Sequence, residues 1–508
     1  MSLAIICSRA QAGIEAPLVT VEVHLSAGLP ALAIVGLPEI AVRESRERVR
    51  AALINTGFEF PARRITINLA PADLPKEGAR YDLAIALGIL AASGQIGRDA
   101  ITAHEFIGEL ALTGTLRPVP GALPAAMQAS QAGRSLIAPN ANALEAAVLG
   151  NTLVDTPVLG ADHLLAVCAH LEGREALRAP APNALTATVT NTLDMSDIRG
   201  QHQARRALEV AAAGGHSLLM IGPPGTGKTS LAMRFPEILP PMTEHEAIEA
   251  AAIASIAPGG FRTADWHRRP FRAPHHTSSA IALAGGGSVP RPGEISLAHQ
   301  GVLFLDELPE FGRHALETLR EPLESGRIVI SRARQRIEFP ARFQLLAAMN
   351  PCPCGYLGDP RGRCHCTTEQ IARYRGRLSG PLLDRIDMHI ELAPLPHSML
   401  HGPSDAATPS SATMRERICR ARTRQLDRDG KPAHQFTPRE ITNRCRLDAA
   451  GAALLERAAE RLGLSARAYH RILKVARTIA DLANADEIAQ AHLAEAIGYR
   501  TLDRRPVN

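Results

Sequence analysis

Aromatic residues are scarce: Phe, Tyr and Trp make up 3% of the 508 residues, with a single Trp. A surface that stacks successive bases on aromatic rings is therefore not expected. Long apolar runs are missing as well. The one near the start, Leu3 to Cys7, is too short for a signal-peptide core and lacks a basic leader. None approaches the ~20 residues of a membrane span. These absences predict a cytoplasmic protein with no membrane partner, whose eight cysteines are thiols or metal ligands and not disulfides. Charge of one sign does not dominate either. A net charge of +5 permits a polyanionic partner without requiring one. The length excludes a single core and points to two to four domains.

What the chain does have is a phosphate-binding pattern. Leu218 to Ile221 is an apolar run that breaks into GPPGTGKT, residues 222–229, and resumes as a helix-forming segment. That string matches G-x-x-x-x-G-K-[ST] at every fixed position between the strand and helix it requires. Its nucleotide-binding residues are Gly222, Pro223, Pro224, Gly225, Thr226, Gly227, Lys228, Thr229 and Ser230. The glycines let successive N–H groups point inward, and the following helix adds its positive end. Lys228 supplies a charge for the β and γ phosphates, and Thr229 a hydroxyl ligand for Mg²⁺. Val302 to Leu305 is a second buried strand that delivers Asp306 and Glu307 at its C-terminal edge, where ligands of open α/β sheets sit. Asp306 would hold hydrated Mg²⁺ and Glu307 would polarise the attacking water. Taken without the upstream loop, the same two carboxylates could be a solvated helix cap.

Residues 1–175 alternate short β-type runs with helical stretches, an α/β domain in its own right. LPKEGARYDLAIALGIL and IGELALTGTLRPVPGALPAAMQA resemble the proteolytic domain of the Lon family, which shares its fold with a ribosomal S5 domain. The positions of that family's serine and lysine fall here on Arg80 and Leu123, so the resemblance implies the fold without the peptidase dyad. An Ala-, Pro- and Thr-rich linker follows over 176–192. The segment between Lys228 and Asp306 is longer than a minimal core needs. It contains a long structured insertion with Gly285, Gly286 and Gly287 at a flexible tip, while His275 and His276 read as ordinary loop residues.

Arg327 to Phe339 alternates apolar and basic residues, a hairpin with Arg332, Arg334 and Arg336 near its tip. Basic residues suit phosphate-backbone contact there, although they also protect a solvated sheet edge. The next strand, Phe343 to Met349, ends in Asn350, whose amide can reach the γ phosphate or the attacking water. Cys352 and Cys354, then Cys364 and Cys366, form two C-x-C pairs, the set a structural Zn²⁺ asks for. Redox thiols, or no shared role, are the alternatives. Arginines around the cysteines again suit an anion. Arg385 precedes another strand and can act as a finger on a neighbour's γ phosphate, or pair with Asp384 or Asp387. Residues 396–435 read as a second linker. From 436 to 508 the chain is helical by pattern, with Arg467 placed to touch phosphates.

With RPFRAPHHTSS, PGEISLAHQGVLFLDE, NPCPCG and SARAYHRILKVARTIADL, the chain resembles the magnesium-chelatase-like branch of AAA+ ATPases, most closely the YifB/ComM group associated with competence. The resemblance spans essentially the whole chain. It implies an α/β multidomain fold: the Lon/S5-like domain, an AAA+ P-loop core over 193–395 with a helix-2 insert and a pre-sensor hairpin, and a helical lid. It implies that Lys228 and Thr229 are the Walker A pair, Asp306 and Glu307 the Walker B pair, Asn350 sensor 1, Arg385 the finger and Arg467 sensor 2. It further implies a hexameric ring, with insert and hairpin lining the pore, that migrates branched DNA in natural transformation. The expectation is thus an ATP-hydrolysing DNA helicase or translocase that uses ATP and Mg²⁺. A metal-insertion motor like the chelatase subunit and a DNA clamp that does not translocate are its rivals.

Overall fold

In the computed structural model, described over residues 2–37, 39–150, 156–180, 193–287, 290–332, 335–359, 361–394, 408–500 and 502, the chain builds two sheets and a helical C-terminal region. The first sheet has seven strands: β1 (Leu3–Arg9), β2 (Leu18–Ser26), β3 (Ala31–Val35), β4 (Arg64–Ala70), β5 (His104–Phe106), β8 (Ser135–Pro139) and β9 (Val158–Ala161), ordered β3-β4-β2-β1-β5-β8-β9. A small pair, β6 (Glu109–Leu110) and β7 (Leu116–Arg117), lies between β5 and β8 in sequence. Helices α1 (Ile40–Asn55), α2 (Asp82–Ser93) and α3 (Ala122–Gln131) are the longest of this part of the chain among the described residues. The sequence DLAIALGILAAS is apolar all round, so α2 is buried on every side rather than amphipathic. Gly88 is required there, because a Cβ would sit 2.5 Å from Val23 Cγ2.

The second sheet is fully parallel: β10 (Leu218–Ile221), β11 (Phe271–Arg272), β14 (Val302–Leu305), β17 (Gln344–Met349) and β18 (Met388–Glu391) run in the order β11-β14-β17-β10-β18. Its three inner strands are buried along their whole length, as near-continuous apolar runs demand. Alternate residues serve different cores. Leu218, Met220, Phe304 and Leu346 face α4 (His202–Gly214) and the C-terminal helices, while Leu219, Leu303, Leu305 and Leu345 face the opposite layer. Helices α5 (Lys228–Arg234) and α6 (Glu244–Ser255) follow β10, α7 (Ala280–Ala284) lies in the segment before β14, and α8 (Thr368–Arg375) lies between β17 and β18.

Within the long insertion, β12 (Gly285–Gly286) pairs with β13 (Arg291–Pro292). Gly285 and Gly286 therefore stand at the base of this hairpin rather than at its tip. A Cβ on Gly285 would meet the Arg291 carbonyl oxygen at 2.3 Å, so close backbone approach explains the residue. A second hairpin, β15 (Arg327–Arg332) with β16 (Gln335–Pro340), places Arg332 opposite Gln335. Ile328, Ile330 and Phe339 pack into the core while Arg336 and Glu338 are exposed, the period-2 pattern of a half-buried ribbon. Arg334 lies outside the described residues, as does the side chain of Arg332.

Most of the expected linker 176–192 falls outside the described residues. The one expected over 396–435 needs correction: from Ser411 to Asp429 it is a 19-residue helix, α9. Its buried positions, Met414, Ile418 and Ala421, recur at helical spacing and join the core of the P-loop sheet. Helices α10 (Pro438–Arg444), α11 (Ala449–Leu462), α12 (Ala466–Leu482) and α13 (Gln490–Gly498) complete this region. The first domain docks on the second through the turn before α3. The N–H of Gly121 donates to Ser255 O (2.9 Å) and that of Leu123 to Ser255 Oγ (3.3 Å), so the turn that leads into α3 is held by the end of α6.

Candidate active site

A cleft of about 350 Å³ opens at the C-terminal edge of β10, β14 and β17. It is lined by Pro224 to Ser230, Asp306, Glu307, Met349 and Asn350, so most of the predicted nucleotide residues meet in one place. Three segments far apart in sequence converge because their strands are neighbours: β10 pairs with β17, and β17 with β14.

The loop is shaped for an anion. Gly225 (φ 80°) and Gly227 (φ 89°) take left-handed conformations that a side chain would strain. Gly222 and Pro223 do not line the cleft. Their carbonyls accept from Lys228 Nζ at 2.6 and 3.0 Å, and Asn350 Oδ1 accepts from the same ammonium at 3.3 Å. Lys228 is buried, and burial lowers its pKa, opposed by the charges of Asp306 and Glu307. Thr226 braces the turn by donating to the Pro223 carbonyl at 2.9 Å.

Thr229 Oγ1 donates to Asp306 Oδ2 at 2.6 Å. A hydroxyl and a carboxylate side by side beside the phosphate loop are hard oxygen donors, and this set fits Mg²⁺. Asp306 Oδ1 also accepts from the backbone N–H of Glu307 at 2.9 Å, which turns the chain sharply after β14. Glu307 itself sits at φ 53°, a conformation that costs a non-glycine residue roughly 1–3 kcal/mol and concentrates at functional sites.

Two contacts were not anticipated from the sequence. His276 Nδ1 lies 3.2 Å from Glu307 Oε2, so one of the two loop histidines touches the carboxylate assigned to water. It reaches there because β11, four residues upstream, pairs with β14. Gln201, at φ 49°, donates through Nε2 to the Thr226 carbonyl (3.2 Å) and the Ala393 carbonyl (3.0 Å), tying the start of α4 to the phosphate loop. The non-glycine positive φ is its one mark, and it is not readable from sequence.

Arg385 and Arg467 stand apart from this cleft. Arg385 is buried, donates through Nη1 to the Pro381 carbonyl (2.6 Å), and pairs through Nη2 with Glu324 at 2.7 Å. Asp387 has other partners, His216 and Arg471, and Asp384 is not the partner of Arg385 either. Arg467 Nη2 lies 3.7 Å from the same Glu324 oxygen and its side chain is 61% exposed. Contrary to the expectation from its helix position, Arg467 does not line the cleft of its own chain. Arg336 is exposed on the second hairpin.

The four cysteine thiols after Asn350 come together. The Cys352, Cys354 and Cys364 sulfurs are 3.4 to 3.8 Å apart, and those of all four, Cys366 included, lie within 4.8 Å of one another. Several nearby arginines are already engaged: Arg363 with Asp359, Arg373 with Glu369, and Arg377 with Glu310 at 2.7 Å. Among the described residues no helix is long and apolar enough to cross a membrane.

Three sequence-family models cover most of the chain. That of magnesium chelatase, subunit ChlI, matches residues 194–400; that of subunit ChlI of Mg-chelatase, 21–142; and that of the ChlI C-terminal part, 408–500. Among full-length relatives, YifB of Salmonella typhimurium is 53% identical over 99% of this chain and 98% of its own length. The competence protein ComM of Haemophilus influenzae is 52% identical over the same shares. The magnesium-chelatase 38 kDa subunit of Rhodobacter capsulatus is 28% identical over 34% of this chain and 53% of its own length. A whole-length likeness to YifB and ComM, beside a match to the Rhodobacter capsulatus chelatase subunit over only 34% of this chain, decides the grouping: this chain belongs to the YifB/ComM family of magnesium-chelatase-like AAA+ proteins.

Proposed function

We propose that this protein is an ATP-hydrolysing DNA motor, assembled as a hexameric ring, that acts in the cytoplasm on branched intermediates of recombination during natural transformation. The observation that carries the ATPase part is the convergence of Lys228, the Thr229 and Asp306 pair, Glu307 and Asn350 on one cleft. Lys228 and the loop N–H groups hold the phosphates, Glu307 orients and polarises water, and Asn350 fixes the far side of the site. Bound Mg²⁺, held through Thr229 and Asp306, would offset the charge that develops on the phosphate oxygens. A zinc ion held by Cys352, Cys354, Cys364 and Cys366 belongs to the same reading.

The ring is supported by where Arg385 and Arg467 lie. Both converge on Glu324, outside the cleft of their own chain, which suits arginines that serve the nucleotide of a neighbouring copy. In this reading the first domain keeps a Lon/S5-like fold without its dyad, β12 and β13 belong to a helix-2 insert, and β15 and β16 form the pre-sensor hairpin. The DNA part rests on that hairpin, which buries Ile328, Ile330 and Phe339 and leaves Arg336 exposed beside Arg332 and Arg334 in sequence. The name of the competence relative ComM points the same way.

The test is steady-state ATPase activity without DNA and with single strands, duplex and a four-way junction. Stimulation by DNA, strongest with the junction, is the expected result; equal rates in all four would sink the motor reading. Replacing Arg332, Arg334 and Arg336 together by Ala should weaken duplex binding and flatten the slope of log affinity against log salt by about two to three.

A further inference from the structure

The segment that follows Asn350 has little apolar content of its own, PCPCGYLGDPRGRCHC, yet it folds back on itself beside the nucleotide cleft. Gly355 (φ 85°), Gly358 (φ 81°) and Gly362 (φ 68°) supply left-handed turns that return the second C-x-C pair to the first. The sulfur separations of 3.4, 3.7 and 3.8 Å exceed the ~2.05 Å of a disulfide. They match the edge of a tetrahedron whose centre is ~2.3 Å from each sulfur, about 3.8 Å. Four soft thiolates without an oxygen donor select Zn²⁺ over Mg²⁺ or Ca²⁺.

The position of this knuckle matters more than its existence. Cys352 is fully buried and lies two residues beyond Asn350, whose Oδ1 accepts from Lys228. The Gly355 backbone packs directly on the phosphate loop, where a Cβ would sit 2.8 Å from Pro224 Cδ. Gly355 N–H donates to the Cys352 carbonyl at 3.0 Å, and Arg375 Nε donates to the Pro351 carbonyl at 3.3 Å, so both flanks of the first cysteine are held. We propose that the four thiolates form a structural Zn²⁺ centre whose occupancy holds Asn350 and Pro224 in register, so that metal loading sets the affinity of the cleft for nucleotide. The coupling rests on the ATP reading above; the metal centre does not.

Without the metal, a short crosslink-dependent loop loses the constraint that offsets its conformational entropy, and both Asn350 and the Pro224 contact are released. Full-length protein purified without added metal should carry one zinc per chain by elemental mass spectrometry. No stoichiometric metal, or iron in its place, overturns the centre. Replacing Cys364 and Cys366 together by Ser should remove the zinc and weaken binding of a fluorescent ATP analogue at least about tenfold, the lower end of effects seen when support around a metal site is removed. Unchanged affinity in that zinc-free protein overturns the coupling. Because loss of the metal can unfold the segment, Gly355→Ala is the second variant: all four thiols remain, and one methyl is driven against Pro224. Because alanine also strains the left-handed turn at Gly355 (φ 85°), the variant is loaded with saturating Zn²⁺, and in that loaded form it should bind the analogue about tenfold more weakly. Wild-type affinity in Gly355→Ala also overturns the coupling. If zinc-loaded wild-type protein binds no nucleotide at all, the ATPase reading fails while the metal centre stands.

Discussion

Glu307 has a left-handed backbone (φ 53°) at the edge of the cleft, and its carboxylate meets His276, which does not line the cleft. In the sequence His276 is indistinguishable from a loop residue, because the 31-residue separation from Glu307 says nothing about contact. With its proton on Nδ1, His276 donates to one carboxylate oxygen and leaves the other to meet water. His276→Ala should therefore lower kcat for ATP about tenfold with KM unchanged, since a small misplacement of a reacting group is costly. Steady-state kinetics check this, and His276→Gln, which keeps a donor, should recover part of the loss. An equal change in KM would point to nucleotide binding instead. Lys228, Thr229 and Asp306 were legible in the chain for the opposite reason: their spacing within short motifs already implies their geometry.

Helices and strands were legible where apolar residues dominate a run and obscure where charge dilutes it. The strands β10 and β14 are four apolar residues each, but α9, SATMRERICRARTRQLDRD, hides its buried positions among arginines and reads as part of a linker. Where the C-terminal helices meet the P-loop sheet lie a buried histidine, His389 on β18, and a half-buried one, His434. Burial, and then Arg500, pushes His389 down to about 3; burial, and then Arg422, does the same to His434, whose Nδ1 lies 2.7 Å from the Gly214 carbonyl. In the unfolded chain such groups titrate near ~6.5. Between about 6.5 and 3 the unfolded chain binds more protons than the folded one, so stability falls as pH falls through that window. The midpoint of thermal unfolding should drop steadily from about pH 7 to about pH 4.5, with part of the slope removed in His434→Gln. A flat profile would show that neither histidine is held neutral.

At the scale of the whole molecule the decisive question is whether one chain is sufficient. Glu324 gathers Arg385 and Arg467, and among the described residues no arginine lines the cleft that holds the phosphate loop and the carboxylates. Arg385→Ala and Lys228→Ala should each abolish most ATPase activity, by about 10³ or more for a finger. Mixed together they should regain a measurable fraction, because a Lys228-bearing subunit then meets an Arg385-bearing neighbour. The absence of rescue in mixed assemblies would place every catalytic group within one chain.

The phosphate loop, the two apolar strands that lead into it and into Asp306, the arginine hairpin and the paired cysteines were legible in the sequence alone, since each is a local pattern whose side chains are fixed by the nearest turn or by strand alternation. Only the tertiary structure decided that His276 meets Glu307, that Glu324 gathers two arginines, and that the cysteine knuckle leans on Pro224. Those contacts join residues far apart along the chain. They exist because strand order and loop closure bring them together, and no periodicity in the sequence encodes that order.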